Sequence, residues 1–168
     1  CLVCVGGLGA CAWDITAVGD NDLNFPLWGA MGSAAAVGLG IALAQPSRRV
    51  LVLTGDGEML MGMGSLATIA LQKPDNLAVV VLDNERYGET GMQRTHTAFG
   101  VDLPGMAVAA GFPVTGIARD QSELDAALAR PGAVYIMEVD VVGAGNIAAA
   151  GYNGAQCFIM APSPEVLE

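Results

Sequence analysis

The sequence predicts an α/β fold: a three-layer α/β/α arrangement in which helices cover both faces of a parallel, doubly wound sheet of about six strands. Two observations lead to this prediction. Apolar runs of strand length alternate with helical patterns, and the central runs are continuously apolar, as is typical of parallel strands buried on both faces. The 168 residues suit a single domain, 1–168, although the Gly- and Ala-rich tail at 142–168 gives no clear pattern.

Each half of the chain supplies its own strands and helices. In the first half, helical patterns end near Pro46 and before Pro74, and the predicted elements are strands at 1–5, 49–54 and 76–82 with helices at 29–44 and 60–72. A polar loop then runs from 83 to 102. In the second half, Ser122 could cap a helix that has acidic residues in its first turn, and the predicted elements are helices at 103–110 and 120–130 with strands at 112–118 and 133–139.

Composition narrows the class of function. The net charge is −10 and only seven residues are Lys or Arg, which argues against a nucleic-acid partner. The uncharged stretch 25–45 imitates a membrane span, but it is rich in Gly and Ala and lies among other strand and helix signals, so we predict a buried helix and no membrane partner. The cysteines lack partner ligands and indicate reduced core thiols in a cytoplasmic protein. The chain begins at Cys1, so we expect its natural start to lie upstream.

Two polar side chains follow neighbouring strands of the predicted sheet. Asp56 lies two residues beyond the strand that ends at Thr54, and Asn84 lies two residues beyond the strand that ends at Leu82. Ligands bind outside the carboxyl ends of strands in open parallel sheets, so we expect the two side chains to converge. Carboxylate and amide oxygens suit Mg²⁺ or Ca²⁺, and Mg²⁺ completes its coordination with water and ligand phosphates.

The residues around Asp56 favour an anion beside that metal. Gly55 and Gly57 let the backbone turn sharply and bring its amides close to a phosphate. A helix predicted to start near Met59 would direct its positive end to the same place. For Glu58, we expect the backbone amide to matter more than the carboxylate. The pattern therefore predicts a site for a metal ion and a diphosphate.

This pattern resembles the signature of thiamine diphosphate enzymes, in which Gly-Asp-Gly is followed after about two dozen residues by Asn-Asn. Here Gly-Asp-Gly at 55–57 is followed after 26 residues by Asn84, with Asp83 in place of the first Asn. The resemblance implies thiamine diphosphate and Mg²⁺ as cofactors. It also implies that the metal ligands are Asp56, Asn84 and the carbonyl oxygen of Arg86.

Segments on both sides of the signature extend the resemblance. WGAMGSAAAVGLGIALA (28–44) is similar to the family segment in which a Gly carbonyl meets the aminopyrimidine and a bulky apolar residue bends the cofactor. Those two positions match Gly29 and Met31, with Gly32 and Ser33 close by. NERYGETGMQRTHT (84–97) is similar to a loop of sulfopyruvate and phosphonopyruvate decarboxylases, through Tyr87, Gly88, Thr90, Gly91, Gln93 and Thr95.

The resemblance implies one subunit of a 2-oxo acid decarboxylase. The chain has no room for the pyrimidine-binding domain, whose Glu activates the aminopyrimidine, so a second subunit would have to supply it in an oligomer. The small residues of 29–44 make that region a candidate interface. An extra acidic group on the substrate could be received by Arg86, Arg94 or His96.

Several alternatives remain open at this level. The same cofactor would serve an acetolactate synthase-like carboligase, a non-catalytic cofactor-binding or regulatory module is possible, and so is a structural subunit without cofactor. GGLGACA (6–12) matches a dinucleotide fingerprint, but no acid ends a second strand about 20 residues further on, as that fold requires. His96 is either a substrate or proton-transfer group or a surface residue. Glu89 is either an active-site acid or a solvated charge.

Overall fold

The computed structural model describes residues 2–112, 115–119, 122–123, 126 and 134–138, and a six-stranded parallel sheet lies at the centre of this part of the chain. The strands lie in the order β2-β1-β3-β4-β8-β7, and each neighbouring pair is parallel. Their bounds are β1 Leu2–Gly6, β2 Asn24–Pro26, β3 Arg49–Gly55, β4 Leu77–Asp83, β7 Thr115–Ala118 and β8 Val134–Glu138. The predicted parallel sheet is therefore confirmed.

Helices pack on both faces of the sheet. One face carries α1 (Ala10–Ala17), and the other carries α2 (Ala34–Ala44), α4 (Gly64–Gln72) and α5 (Leu103–Ala110). Alternate residues of each central strand point to opposite faces, so Val52 packs with α2 and α4 whereas Leu53 packs with α1. Both cores consist of buried apolar side chains, and the predicted three-layer arrangement is confirmed.

The segment predicted as a polar loop, 83–102, has a structure of its own. It forms an antiparallel hairpin of two short strands, β5 (Arg86–Tyr87) and β6 (Gln93–Arg94), and then a 3₁₀ turn at Thr97–Phe99. The turn of the hairpin is closed by the amide of Met92, which donates to the carbonyl oxygen of Tyr87 at 3.0 Å. The hairpin lies at the carboxyl edge of β4.

Two predicted helices have different bounds in the structure. The helix predicted at 29–44 begins only at Ala34, because Ala30 and Gly32 adopt positive φ values of 55° and 93° and form a turn instead. The helix predicted at 60–72 is two helices, α3 (Asp56–Met61) and α4, with a break at Gly62. A Cβ atom on Gly62 would overlap the carbonyl oxygen of Gly32, so the break lets the two turns pack closely.

Outside the segment 83–102, two elements have no counterpart in the sequence prediction: α1 and the three-residue strand β2. Other predicted elements fall partly or wholly outside the described residues. The predicted strands 112–118 and 133–139 are observed as Thr115–Ala118 and Val134–Glu138, whereas the predicted helix 120–130 lies mostly outside that part of the chain. The tail at 142–168 lies outside it completely.

The uncharged stretch 25–45 folds as the end of β2, a turn and the 11-residue helix α2. Within the residues that the structure describes, no helix has the length and apolar character needed to cross a membrane. Cys4 and Cys11 are buried core thiols, as predicted, while Cys1 and Cys157 lie outside the described residues.

The strand order creates a switch point between β1 and β3. From β1 the chain moves to β2 on one side, and after α2 it enters β3 on the other side. Loops that leave neighbouring strands in opposite directions open a crevice at the carboxyl edge of the sheet. The loop 7–9 and the start of α3 therefore flank this crevice.

Candidate functional site

The register of β3 and β4 brings two acidic residues together. Gly55 pairs with Leu82, so the next residues lie side by side: Asp56 begins α3, and Asp83 is the last residue of β4. The Thr97 hydroxyl oxygen lies 3.0 Å from Oδ2 of Asp56 and 2.8 Å from Oδ1 of Asp83. The Thr95 hydroxyl oxygen lies 3.0 Å from that of Thr97. Asp56 and Thr95 are each 1% exposed, so this polar cluster is built into the protein.

The electrostatics of the cluster favour a cation. Burial raises the pKa of Asp56, hydrogen bonds from Thr95, Thr97 and the Gly57 amide lower it, and the negative charge of Asp83 raises it further. One hydroxyl proton of Thr97 can satisfy only one of the two carboxylates at a time. Hard oxygen donors that are close together and short of positive charge are what Mg²⁺ or Ca²⁺ requires.

Asn84 follows Asp83 in the chain, but its side chain accepts a hydrogen bond from the backbone and not from Thr97. Its Oδ1 accepts from the backbone N–H of Arg86 at 2.9 Å, while Oδ1 of Asp83 accepts from the N–H of Glu85 at 3.2 Å. In the described structure no hydrogen bond joins the Asn84 and Asp56 side chains. An amide oxygen has two lone pairs, so the second one of Asn84 can still serve a ligand. The Arg86 guanidinium is turned to the carbonyl oxygen of Glu85 at 3.0 Å.

The expected roles of the glycines around Asp56 need correction. Neither Gly55 nor Gly57 adopts a positive φ, so neither is there to permit a sharp turn. A Cβ atom on Gly57 would overlap the ring of Tyr87, which shows that this glycine provides room for close packing. The helix predicted to start near Met59 begins earlier, at Asp56, so Asp56 itself lies in the first turn of this helix.

The sequence predicts a larger role for the backbone amide of Glu58 than for its carboxylate. In the structure, however, the carboxylate is buried and hydrogen-bonded. Oε2 accepts from the Thr54 hydroxyl at 2.9 Å, and Oε1 accepts from the backbone N–H of Gly32 at 3.2 Å. Burial raises the pKa of Glu58, while hydrogen bonds from Thr54 and from the amides of Gly32, Ala34 and Leu8 lower it. The side chain therefore joins the crevice loops to the turn before α2.

The turn 29–33 lies beside α3 and contains one unsatisfied hydroxyl. The Ser33 hydroxyl oxygen is buried and has no hydrogen-bond partner among the described residues, and it does not cap α2 although Ser33 is the N-cap residue. Gly29 is exposed and Met31 is half-buried. A buried hydroxyl without a hydrogen-bond partner among the described residues is available to a ligand, such as a phosphate oxygen.

The remaining predicted residues lie on the hairpin. Tyr87 packs over Gly57, and its hydroxyl is 3.4 Å from Nδ1 of the exposed His96. Gly88 and Glu89 are exposed, and the side chain of Glu89 lies against the backbone of Gly9 at the switch-point crevice. The hairpin thus brings these residues to the same edge of the sheet as Asp56.

Sequence reasoning did not single out Thr97, the acidic role of Asp83 or the carboxylate of Glu58. Thr97 is the last residue of the quoted loop segment 84–97, and a Thr-x-Thr pattern in a polar loop is the only local signal for it. Asp83 was noted only as a departure from Asn-Asn. A buried role for Glu58 leaves no trace in the sequence, because its partner Gly32 is 26 residues away.

Comparisons with known proteins converge on one family. The family model described as "Thiamine pyrophosphate enzyme, C-terminal TPP binding domain" matches residues 8–136. The chain is 43% identical over 128 residues to the sulfopyruvate decarboxylase subunit beta of Methanothermobacter thermautotrophicus, which covers 76% of this chain and 68% of that protein. It is 44% identical over 125 residues to the phosphonopyruvate decarboxylase of Streptomyces hygroscopicus, which covers 74% of this chain but 31% of that protein.

A solved structure gives the same result for the fold. It was determined for a protein from Mycobacterium smegmatis described as a candidate thiamin diphosphate-dependent enzyme, and it matches with a TM-score of 0.65 and 23% identity. The match covers 82% of this chain and 28% of that protein. The chain therefore corresponds to about a third of the longer proteins that it resembles.

Proposed function

The chain belongs to the thiamine pyrophosphate (thiamine diphosphate) enzymes, by its match to their C-terminal cofactor-binding domain, and we propose that it is the diphosphate-binding subunit of a Mg²⁺-dependent 2-oxo acid decarboxylase. The observation that carries this proposal is the convergence of Asp56 and Asp83 on the Thr97 hydroxyl. Two carboxylates thus meet at the carboxyl edge of the sheet, and within the described part of the chain neither is hydrogen-bonded to a cationic side chain. The Ser33 hydroxyl, in the turn before α2, offers a further donor.

Each part of the site has a proposed task. Asp56, Asn84 and the carbonyl oxygen of Arg86 hold Mg²⁺, with Asp83 and Thr97 orienting Asp56. The Ser33 hydroxyl and the amides of Gly57 and Glu58 donate to phosphate oxygens. The cofactor, when bound, supplies the electron sink for the carbanion that forms as CO₂ leaves a 2-oxo acid. The residues of the protein bind and orient the cofactor and the substrate and exclude water from them.

Two further segments shape the cofactor pocket in this proposal. The turn 29–33 faces the aminopyrimidine with the Gly29 carbonyl, and the half-buried side chain of Met31 supports the bent cofactor. Tyr87 and Gly88 close the pocket from the hairpin side, because the Tyr87 ring already lies against Gly57. These positions agree with the family segments that the sequence resembles.

We also propose that a partner chain completes the site. The relative from Methanothermobacter thermautotrophicus is itself named a subunit beta, and this chain spans only about a third of the phosphonopyruvate decarboxylase. The partner would supply the pyrimidine-binding domain and its Glu and exclude water. An exposed aromatic pair supports this proposal. The rings of Trp13, in α1, and Trp28, directly before the turn 29–33, pack edge to face with centroids 4.7 Å apart. They are 60% and 52% exposed, which suits a surface that a partner covers.

The substrate we propose is a 2-oxo acid with a second acidic group. Arg94 is held in place on the hairpin, since Nη2 donates to the Ala98 carbonyl at 2.7 Å and the guanidinium lies 4.5 Å from the centre of the Phe99 ring. His96, hydrogen-bonded to Tyr87, is close in sequence and can add a second donor. In a chain of net charge −10, this group of basic residues is suited to an anionic substrate.

Calorimetry of thiamine diphosphate binding tests the proposal. The chain is titrated with Mg²⁺ or with EDTA, alone and together with a candidate partner subunit, and Asp56→Ala is compared with Asp75→Asn, an exposed acid before β4. Mg²⁺-dependent binding that is lost in Asp56→Ala and kept in Asp75→Asn supports the proposal, and 2-oxo acids are then screened for released CO₂. Absence of binding in every mixture contradicts it. Analysis of products with an added aldehyde separates decarboxylation from carboligation.

A further inference from the structure

Glu58 is a buried carboxylate that connects three separate segments of the chain. It is 3% exposed. Its Oε2 accepts from the Thr54 hydroxyl at the end of β3, and its Oε1 accepts from the N–H of Gly32 in the turn before α2. The amides of Leu8, in the loop after β1, and of Ala34, the first residue of α2, lie near enough to lower the pKa of the carboxyl. One side chain therefore spans the crevice between β1 and β3 and reaches the turn beyond it.

The loop after β1 packs closely against this carboxylate. A Cβ atom on Gly7 would overlap Oε2 of Glu58, so the loop after β1 lies directly against the carboxylate. On the other side, a Cβ atom on Gly62 would overlap the Gly32 carbonyl oxygen, which fixes the end of α3 against the turn 29–33. The position of the turn relative to α3 is thus set by one charged side chain and one glycine contact.

The Glu58 carboxylate also lies at the N-terminus of α2. Ser33 occupies the N-cap position but makes no side-chain hydrogen bond to the helix, whereas Oε1 of Glu58 accepts from the Gly32 amide, and the Ala34 amide lies near enough to lower the pKa of the carboxyl. Unpaired amides at a helix N-terminus are satisfied well by a carboxylate, which also interacts favourably with the helix dipole. The Ser33 hydroxyl is consequently left available for another partner.

We propose that Glu58 is a positioning residue that aligns the two halves of the cofactor site. Its carboxylate holds the turn 29–33, which faces the aminopyrimidine, at a fixed distance from Asp56 and Gly57, which face the metal and the diphosphate. This inference rests on the proposed function, because that function assigns the two halves their ligands. Glu58 itself does not touch the cofactor through its carboxylate.

Removal of the Glu58 carboxylate should therefore lower the affinity for thiamine diphosphate more than the affinity for its diphosphate part alone. Removal of the carboxylate frees the turn but leaves Asp56, Asp83 and Thr97 in place. Binding of thiamine diphosphate, which needs both halves, should weaken about 10- to 100-fold, as is usual when a residue that orients binding groups is removed. Binding of Mg²⁺–pyrophosphate, which uses the metal half and only the Ser33 hydroxyl of the turn, should weaken less, by no more than about fivefold. A mere loss of stability would weaken both ligands alike.

The experiment measures both affinities in wild type, Glu58→Ala, Glu58→Gln and the control Asp75→Asn, at a temperature where each protein is folded. The full chain is used, with a partner subunit if wild type requires one to bind thiamine diphosphate. Glu58→Gln keeps an oxygen for the Gly32 amide but replaces the other with an NH₂ group, so it should lie between wild type and Glu58→Ala. Hydrogen exchange of the unliganded protein should show faster exchange confined to the amides of 8 and 32–34.

The possible outcomes separate the inference from the proposed function. A selective loss of thiamine diphosphate affinity, partly restored in Glu58→Gln and accompanied by local exchange, supports the inference. Equal weakening of both ligands, or unchanged affinities in a wild-type protein that binds, overturns it and leaves the proposed function intact. A wild type that binds neither ligand overturns the proposed function, and the inference falls with it. If Glu58→Ala does not fold, the comparison between wild type and Glu58→Gln decides.

Discussion

The carboxylates of Asp56 and Asp83 meet at a single hydroxyl, which belongs to Thr97 and lies within 3.0 Å of both. Asp56 is almost completely buried, and the charge of Asp83 is one of the two causes that raise its pKa. Two neighbouring carboxylates that share the Thr97 hydroxyl repel each other, and a cation between them would relieve that repulsion. The arrangement is consistent with the proposed binding of a divalent ion at this point. Substitution of Asp56 should therefore have opposite effects on the stability of the unliganded protein and on ligand binding.

Asp56→Asn should weaken Mg²⁺-dependent binding of thiamine diphosphate by more than about 100-fold, because in the proposed function it removes a charged metal ligand. The same change should leave the melting temperature of the unliganded protein equal or higher, since it removes a buried charge beside Asp83. Calorimetry and thermal unfolding of one preparation measure both effects. A lower melting temperature together with unchanged binding would show that Asp56 is a structural residue. Asp75→Asn should change neither quantity.

Thr97→Val should weaken the same binding by about 10- to 100-fold, since the hydroxyl orients the Asp56 carboxylate without contacting the ligand. Val has a similar shape, so the effect reports on the hydrogen bond rather than on packing. The control is Thr90→Val, in the hairpin that precedes Thr97, whose exposed hydroxyl donates to Oε1 of Gln93 at 2.8 Å. Equal effects of the two substitutions on affinity would contradict the role proposed for Thr97.

Gly57→Ala should reduce both stability and cofactor affinity, because the new methyl group would overlap the Tyr87 ring. Overpacking of this kind costs about 1–3 kcal/mol of the free energy of unfolding. Gly88→Ala is the matched control, since the nearest atom to a Cβ there is Sδ of Met92 at 4.0 Å, and its effect should stay within about 0.5 kcal/mol. Denaturant titrations measure the stabilities, and similar results for both variants would refute the close contact between Gly57 and Tyr87.

Structural features could be predicted from the sequence where they depend on residues that are close together along the chain. The continuous apolar runs predicted β3 and β4, and the polar residues directly after them predicted Asp56 at the carboxyl edge. The helix α1 was missed because its start has no side-chain cap and no acidic residue in its first turn, and β2 was missed because three residues carry no periodicity. Short edge strands owe their conformation to the neighbour with which they pair.

The contacts that organise the site could not be read from the sequence for a different reason. Thr97 and Asp56 are 41 residues apart, and Glu58 and Gly32 are 26 residues apart. A side chain that bonds across such distances leaves no periodic pattern, and a Glu in the first turn of a helix is usually solvated. The same reason explains the wrong bounds of the two helices, because the positive φ at Gly32 and the break at Gly62 are set by contact between the two glycines.

Cys11 should resist alkylation in the folded protein across the range from pH 7 to 9. Burial raises the pKa of its thiol, and the charges of Asp14 and Glu58 raise it further, so the reactive thiolate is suppressed in the folded state. In the unfolded chain the thiolate fraction rises about tenfold per pH unit below its ordinary pKa of about 8.5. Iodoacetamide labelling followed by peptide mapping measures the modified fraction at Cys11. Labelling of the native protein that rises with pH as in the unfolded chain would contradict this prediction.

Two glycines of α2 should respond to the same substitution in opposite directions. Gly38 is buried against the sheet, and a Cβ atom there would overlap Cγ2 of Val52, a fully buried side chain with little freedom to move. Gly38→Ala should therefore lower the free energy of unfolding by about 1–3 kcal/mol, which outweighs the gain in helix propensity. Gly40 is exposed with no atom within 4 Å of a Cβ, so Gly40→Ala should raise the free energy of unfolding by about 0.5–1 kcal/mol. Urea titrations of the two variants measure the difference, and a stabilising effect of Gly38→Ala would mean that α2 does not pack on β3 as closely as described.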